Sequence, residues 1–506
     1  MSVPEEAALV QRCPAHDPPR PADEWIDIDF ADADATVDVD DDVDDDVDVD
    51  VDVDAEGAGR RRPEAPDRTA PLTWGQWALR FGVERYPANR VLINMRRVVP
   101  MPRRAPDEVD AVRRAVGALV GRHSSLRTRL RVIDGQWHQA VAAAGRLPTL
   151  LVRAADGDPD GTATARALAD RLAATAFDFA QEWPLRVALV LVGGRVRQIV
   201  VVFSHTTVDF GAVEILLRDL RLLLLRGTVD APVGPQSIDV AEREQDPRYR
   251  RRSVRCVDRW SASFARLTGQ TLPWRAPPLE PRFRRAFLES GAADTALRLL
   301  AARHRVTSST VLLAATTVLL ARRSGNQVVG LYTMVSNRAV DGYRDAVANL
   351  AQLGLAVVDL TDRPSFADLL PTVWRAALDA YRHAYYDPSD LRRDPESTGY
   401  PSVPGTSPHC YFNDIRLATD LDLFGRATSE TEVRAAMTGT TFSWLEHLDD
   451  FPWRTRVEVV DRPGALGFIL TADSAYLPPA EAERFLRELE HLLVEAAFRD
   501  VPWPWE

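Results

Sequence analysis

Residues 198–220 carry the side-chain types that acid–base chemistry requires. The stretch is QIVVVFSHTTVDFGAVEILLRDL, in which an apolar run ends at Ser204 and His205, and Asp209 follows four positions later. A neutral imidazole can accept a proton from an attacking amine or hydroxyl near pH 7. Asp209 would orient the loop or bind an arginine. Taken alone, the pattern also fits a histidine that is merely hydrogen-bonded at the end of a strand.

Ser204 stands directly before His205, and a Ser-His dyad is the first arrangement to consider. Neighbouring side chains on an extended backbone point to opposite faces, so these two are poorly placed to pair. We therefore predict that Ser204 bonds the loop backbone instead.

Composition excludes several other kinds of site. All 62 basic residues are arginine, so Schiff-base formation, pyridoxal phosphate attachment, a Ser-Lys dyad and a phosphate-loop lysine are ruled out. The three cysteines, Cys13, Cys256 and Cys410, lie far apart with no metal-ligand spacing, and their odd number argues against a disulfide framework. Apolar runs such as 311–321 are shorter than the roughly 20 residues that span a bilayer, and the first residues of the sequence lack the charged and apolar regions typical of a signal peptide. We expect a cytoplasmic protein with no metal and no membrane contact.

Charge is distributed unevenly along the chain. Residues 1–56 hold 21 acidic residues and two arginines, so the whole-chain charge of −12 leaves +7 for the rest. Within 32–54, aspartate alternates with valine; an EF-hand calcium loop would also need its glycine and closing glutamate, which are missing. We predict that residues 1–70 form an acidic disordered tail and linker. The body suits an acidic partner protein, and without an aromatic-interleaved basic patch it does not indicate nucleic acid.

Helix and strand patterns recur in both halves of the remaining chain. Apolar spacing predicts helices at 107–123, 211–225, 307–325 and 478–497. Two buried strands, 185–192 and 196–203, are joined by a Gly-Gly-Arg turn, and a further strand covers 326–336. This is an α/β chain of two lobes, with 71–240 as the N-terminal lobe and 241–506 as the C-terminal lobe. His205 then lies in a strand-to-helix loop, where buried sheets commonly present functional groups.

The segment SHTTVDFG resembles the His-His-x-x-x-Asp-Gly motif of condensation domains from nonribosomal peptide synthetases. Other segments follow in the family's order across residues 71 to about 497. They are PLTWGQWAL (71–79), RHSSLRTRL (122–130), FDFAQEWPLRVALV (177–190) and SNRAVDGYRDAVANLAQLGLAVVDL (336–360). The similarity of each segment to the family is modest, but the order and spacing of the segments together are specific to it.

The resemblance implies a fold like chloramphenicol acetyltransferase: two αβα lobes in a V-shaped pseudo-dimer with a central tunnel that holds His205. In this family, acyl or peptidyl carrier proteins extend phosphopantetheine arms into the tunnel, where an amine or hydroxyl attacks an acyl thioester. We therefore expect a monomer with no bound cofactor, a carrier protein or coenzyme A as acyl donor, and a small-molecule or carrier-bound nucleophile. His205 would act as a base or stabilise the tetrahedral intermediate. Asp209 would shape the site by pairing with Arg338.

Two departures from the family motif bear on activity. Ser204 replaces the first histidine, and Phe210 replaces the glycine after the aspartate, with Gly211 one place late. Phe210 and Gly211 would line the tunnel, and the larger ring would narrow it. We expect a free-standing condensing enzyme that makes an amide or ester in specialised metabolism. The alternative is a non-catalytic module that docks a carrier protein or partner enzyme; epimerisation and cyclisation relatives fit the motif less well.

Overall fold

The computed structural model describes residues 24–31, 68–85, 87–267, 271–392, 410–416 and 428–505. Two units make up the fold. The first contains the described parts of Met1–Pro71, Val91–Ile238 and Asp345–Ala348, and the second those of Leu72–Arg90, Asp239–Arg344 and Asn349–Glu506. The predicted V shape and tunnel concern the placement of one unit against the other, and they stay predictions.

Strands and helices alternate through most of the described residues. The strands are β1 (Glu24–Ala31), β2 (Arg68–Pro71), β3 (Asn94–Pro100), β4 (Thr128–Ile133), β5 (Gln136–Val141), β6 (Ala144–Arg153), β7 (Leu185–Val192), β8 (Arg195–Ser204), β9 (Phe283–Ser290), β10 (Val328–Val335), β11 (Gln352–Asp359), β12 (Cys410–Asp414), β13 (Thr441–Leu448), β14 (Thr455–Arg462) and β15 (Ala465–Asp473). The helices are α1 (Trp74–Arg85), α2 (Val109–Arg122), α3 (Thr162–Ala173), α4 (Phe210–Arg226), α5 (Ser237–Glu244), α6 (Pro247–Phe264), α7 (Gly291–His304), α8 (Ser308–Ser324), α9 (Phe366–Arg382), α10 (Pro388–Arg392), α11 (Glu430–Ala436) and α12 (Pro479–Phe498).

The first unit is built on a five-stranded mixed sheet in the order β1-β6-β7-β8-β3. Strands β6 and β7 run parallel, and the other neighbours pair antiparallel. Helices α2 and α4 bury apolar side chains such as Val116 and Leu216 in the same core as Ile199 of β8. A smaller antiparallel sheet has the order β2-β5-β4. Strand β8 therefore lies inside the large sheet, and its end is held on both sides.

Strand β1 corrects the predicted disordered tail, because Glu24–Ala31 pairs antiparallel with β6 along its whole length. The segment EWIDIDFA alternates, with Ile28 and Phe30 buried and the aspartates outward. Helix α2 packs closely over this strand. A Cβ added at Gly121 would stand 2.2 Å from the Ala31 carbonyl oxygen, so only glycine allows this approach. Residues 68–70, also assigned to the tail, belong to β2.

The second unit is built on a seven-stranded mixed sheet in the order β11-β10-β12-β14-β15-β9-β13. Its main core joins buried side chains of this sheet to those of α7, α8, α9 and α12, including Leu297, Val318, Leu370 and Leu486. Helix α8 is buried over most of its length and begins at Thr307, whose side chain accepts a hydrogen bond from the Thr310 N–H. A side-chain hydroxyl at this position satisfies one of the unpaired N–H groups at the helix start.

The boundary between the units differs in two places from the predicted division at residue 240. Helix α1 belongs to the second unit, where the Trp74 N–H donates to Glu244 at 2.9 Å. Conversely, Asp345–Ala348 belongs to the first unit, where the Val347 N–H donates to the Pro235 carbonyl at 2.8 Å. Both segments are held by contacts between residues far apart in sequence, which local patterns do not reveal.

The predicted secondary structure is confirmed where the apolar periodicity is strong. Helices α2, α4, α8 and α12 and strands β7, β8 and β10 all lie where the sequence places them, with ends shifted by at most a few residues. The Gly-Gly-Arg turn joins β7 to β8 as expected, with Gly193 and Gly194 at positive φ. Within the described ranges, no helix has the length and apolarity needed to cross a bilayer.

Candidate active site

The loop that carries His205 connects the buried end of β8 to the start of α4. Its backbone is held by hydrogen bonds from several directions. The His205 N–H donates to the Ile93 carbonyl at 3.2 Å, and the Thr207 N–H to the Ser204 carbonyl at 3.3 Å. Ser237 Oγ donates to the Thr207 carbonyl at 3.2 Å. A loop held at this many points presents its side chains in a fixed geometry.

His205 is half-buried, and one of its ring nitrogens is fixed by the loop itself. Nδ1 lies 2.8 Å from the Val208 carbonyl oxygen. Because a carbonyl can only accept a hydrogen bond, Nδ1 must carry the proton. In the neutral ring, the lone pair is then on Nε2. The local chain fold therefore selects the tautomer in which Nε2 can accept a proton.

Asp209 is buried and serves as the N-cap of α4. Its Oδ1 accepts a hydrogen bond from the Ala212 N–H at 2.8 Å. Its own N–H donates to the Ala348 carbonyl at 3.3 Å, so Asp209 also holds the segment Asp345–Ala348 in the first unit. A side-chain oxygen at this position satisfies one of the unpaired N–H groups at the helix start. The site-shaping role of Asp209 stays a prediction, to which the structure adds the observed cap of α4.

Ser204 is fully buried and bonds within the loop. Its Oγ lies 2.7 Å from Thr206 Oγ1 and accepts a hydrogen bond from the Thr206 N–H at 3.4 Å. This is the loop-backbone bonding that the sequence predicts.

Phe210 and Gly211 are the first two residues of α4. The Phe210 side chain is 38% exposed, and the Arg97 guanidinium carbon lies 5.1 Å from its ring centroid. The ring therefore stands at the surface of the first unit, beside the loop of His205. That Phe210 and Gly211 line a tunnel stays a prediction.

Arg338 lies in the second unit, in the loop after β10. Its Nη1 donates to the Arg344 carbonyl at 3.3 Å. The neighbouring Asn337 is buried and donates to the Leu350 and Ala384 carbonyls at 2.9 and 3.1 Å, so the loop has a defined conformation. The pairing of Arg338 with Asp209 joins residues of different units and stays a prediction.

A buried polar cluster around Asp219 connects α2 to α4. His123 Nε2 lies 3.0 Å from Asp219 Oδ2, and Arg122 and Arg218 bind the same carboxylate. Burial alone would raise the pKa of Asp219, but the hydrogen bonds from His123 and Arg218 lower it to about 2. Burial lowers the pKa of His123, which is therefore neutral and donates to the carboxylate. The cluster therefore has a structural role.

Sequence reasoning missed the buried carboxyl group of Glu244 in the second unit. Its Oε1 lies 2.6 Å from the Tyr385 hydroxyl, and its Oε2 accepts the Trp74 N–H. Burial raises the pKa of Glu244 to about 8. The partners lie 141 and 170 residues away in sequence, so no local pattern could have identified the group.

A metal site would need several ligating side chains close together within the described ranges. No cluster of three or more histidine, cysteine, aspartate and glutamate side chains there could hold an ion. The aspartate-rich stretch 32–54, on which the calcium hypothesis depends, lies outside those ranges.

Comparison with known proteins agrees with the motif and the fold. The family model for the condensation domain matches residues 94–403. The chain belongs to the condensation-domain family. Phosphinothricin tripeptide synthetase PhsC of Streptomyces viridochromogenes is 29% identical over 337 residues, which are 63% of this chain and 30% of that protein. The chain thus spans less than a third of this curated relative.

Solved structures share the fold at low sequence identity. The condensation domain that mediates chain release from the enacyloxin polyketide synthase superposes with a TM-score of 0.66 and 18% identity, covering 87% of this chain and 84% of that one. The X-domain solved in complex with OxyB from teicoplanin biosynthesis gives a TM-score of 0.59 and 18% identity, covering 88% and 97%. The mixed α/β architecture is therefore that of condensation domains.

Proposed function

We propose that the protein is a condensing acyltransferase that joins an acyl thioester to an amine or hydroxyl, giving an amide or ester in nonribosomal peptide biosynthesis. The acyl group would arrive on the phosphopantetheine arm of a carrier protein. The observation that carries this proposal is the contact between His205 Nδ1 and the Val208 carbonyl, because it puts the ring lone pair on Nε2. The family to which the chain belongs supports the reaction class.

In the proposed reaction, Nε2 of His205 accepts a proton from the nucleophile as its nitrogen or oxygen attacks the thioester carbonyl. The resulting tetrahedral intermediate carries negative charge on oxygen, and the imidazolium beside it lowers the energy of that charge. Cleavage of the carbon–sulfur bond then releases the pantetheine thiolate, which takes the proton back from His205. Atoms and charge balance without a covalent enzyme intermediate.

The other residues of the loop hold this geometry rather than exchange protons. Asp209 is engaged as the cap of α4, and Ser204 is bonded to Thr206. We propose that Arg338 supplies the counter-charge of Asp209. Holding both substrates against one fixed base supplies much of the rate enhancement, because the reaction becomes effectively unimolecular.

Intact-protein mass spectrometry of an acyl-loaded carrier, incubated with a panel of amines and the native protein, tests this proposal. Transfer of the acyl group is expected with the native protein. His205→Ala should slow it by about 100- to 10,000-fold, because general-base catalysis is lost. His491→Ala is the matched control: its histidine is exposed on α12 and should leave the rate unchanged. Transfer that survives His205→Ala would refute the assigned base.

A second candidate function is a docking module without catalysis. It is favoured by Ser204, whose inward hydroxyl replaces the first histidine of the family motif. The X-domain, which shares the fold, was solved bound to OxyB. On this alternative, no amine accepts the acyl group, while a carrier protein or partner enzyme binds the native protein and His205→Ala equally well.

A further inference from the structure

The second unit carries a surface pocket of about 290 Å³ that is lined mainly by arginines. Arg252, Arg255 and Cys256 of α6 form one wall, and Arg382 and His383 at the end of α9 form the other. A smaller pocket of about 110 Å³ adjoins it and also has Arg252 and Arg255 in its wall. The larger volume is near the lower limit for ligand pockets, so it suits a compact group.

The arginines converge because of their spacing along α6. Arg248, Arg252 and Arg255 are separated by four and three residues and therefore share one face of the helix. Arg252 is partly buried, with its guanidinium carbon 5.8 Å from the ring centroid of Tyr385. Its Nε is shielded from water and has no acceptor in the described part of the chain. Such a shielded donor is costly unless a ligand accepts from it.

Three of the guanidinium groups in the larger pocket lack a counter-charge. In the ranges that the structure describes, the guanidinium groups of Arg252, Arg255 and Arg382 form no ion pair and no hydrogen bond. Three carboxylates on or near these helices are engaged by other arginines, in the pairs Arg248–Asp341, Arg250–Asp387 and Arg259–Asp379, and Asp379 also contacts His383 of the lining at 3.3 Å. The pocket therefore presents an unneutralised positive charge.

The chemistry of the pocket indicates binding rather than reaction. Cys256 supplies the one thiol among the described residues that line the pocket, and burial raises the pKa of that thiol to about 11. A protonated thiol is a poor nucleophile. One arginine alone can satisfy a carboxylate through two parallel hydrogen bonds, whereas three guanidinium groups match the several oxygens and larger charge of a phosphoryl group.

We propose that this arginine pocket, defined by Arg252, Arg255 and Arg382, binds the phosphate of a pantetheine-bearing substrate. Coenzyme A and the phosphopantetheine of a carrier protein both offer that group. The choice of pantetheine rests on the proposed function, whereas phosphate binding can be measured separately from acyl transfer.

Isothermal titration calorimetry of the full chain at low ionic strength tests the pocket, with coenzyme A and pantetheine as probes. Coenzyme A should bind, and pantetheine, which lacks phosphate, should bind at least tenfold more weakly. Arg252→Gln and Arg255→Gln should each raise the Kd for coenzyme A about tenfold, because each removes a charge-assisted hydrogen bond. Added salt should weaken the binding of coenzyme A to the native protein more than its binding to the variant that carries both Arg252→Gln and Arg255→Gln.

Arg251→Gln is the matched control, since it removes the same charge from the same helix outside the pocket lining and should change the Kd less than twofold. Thermal unfolding of each variant checks that the fold is intact. The proposal is overturned if coenzyme A does not bind, if pantetheine binds equally well, or if the pocket variants bind like the control.

Titration with holo and apo forms of a carrier domain separates the two sources of phosphate. If the pocket variants bind the holo carrier more weakly than the native protein does, the carrier's phosphopantetheine is a ligand of the pocket. If only the binding of coenzyme A is weakened, free coenzyme A is the ligand. Both results support a phosphate pocket. If the native protein transfers the acyl group but binds no phosphate probe, only the proposal of a phosphate pocket is overturned. If it binds phosphate but transfers no acyl group, only the proposed function is contradicted.

Discussion

Asp209 caps α4 and is proposed to pair with Arg338, and a pair of substitutions can separate these two roles. Asparagine caps a helix about as well as aspartate, whereas alanine loses the cap and about 1 kcal/mol of unfolding free energy. Asp209→Asn should therefore keep the stability of the native protein while removing the charge proposed to pair with Arg338. Chemical denaturation measures the first effect, and acyl transfer measures the second. We expect Asp209→Ala to be the less stable of the two variants.

The proposed Asp209–Arg338 pair can be tested by a double-mutant cycle. Arg338→Gln alone and Asp209→Asn alone should each slow acyl transfer, because each leaves one charge without its partner. Combined, they should slow it by little more than either alone, since the pair is already broken. Effects that simply add would show that the two residues act independently.

Glu244 should make the stability of the protein fall as pH rises. Its pKa is raised to about 8 in the folded state from an ordinary value near 4.5. Between these values the folded state holds a proton that the unfolded state releases, so the unfolding free energy decreases from about pH 5 to pH 8. Glu244→Gln should remove this decrease, and denaturant unfolding at pH 5, 6.5 and 8 will measure it. Glu446→Gln, an exposed site on β13, is the control and should keep the native slope.

The sequence could predict the strand-to-helix loop of His205 because the elements that define the loop are local, although the hydrogen bonds with Ile93, Ser237 and Ala348 that hold it are not. The strand, the histidine, the capping aspartate and the helix follow one another within 198–220. By contrast, the Glu244 cluster and the arginine pocket are each assembled from segments more than 100 residues apart. Arg382 meets α6 only through the tertiary fold, and no pattern within α6 reveals which of its arginines lack a carboxylate.

At the scale of elements, β1 shows how composition can hide a strand. The alternation in EWIDIDFA is a strand pattern, but the acidic residues around it made the whole region resemble a solvated tail. Pairing with β6 and coverage by α2 overcome the repulsion between aspartates that point outward. Helices such as α2 and α8 were predictable because apolar residues dominate them.

Ile28→Ala should lower the unfolding free energy by about 2–4 kcal/mol, because it leaves a cavity beneath α2. Ile28 is 1% exposed and belongs to the main core of the first unit. Asp27→Ala, on the outward face of the same strand, should have little effect. Denaturant titration of both variants compares them directly. Equal stability of the two would mean that β1 contributes nothing to the core.

At the scale of the whole molecule, the first unit is not one continuous piece of chain. Residues 1–240, produced alone, lack Asp345–Ala348 and therefore lose the acceptors of the Asp209 N–H and of Ser125 Oγ. Buried polar groups left without partners are destabilising. We expect this fragment to exchange its β8 and α4 amides faster than the full chain does, as measured by hydrogen–deuterium exchange. Co-production with residues 241–506 should restore protection, because it supplies the missing segment.

This interleaving also limits how the family can be recombined. Consider a chimaera that joins two condensation domains at residue 240. Pro235 and Asp209 of one parent would then face the other parent's residues at the positions of Val347 and Ala348, which are their hydrogen-bond partners in this chain. The chimaera would likewise place one parent's α1 in the other parent's second unit. Clean exchange of one unit therefore requires transplanting two separate insertions together with the main body. Natural shuffling of substrate preference within such chains should respect the five junctions at which the chain passes from one unit to the other.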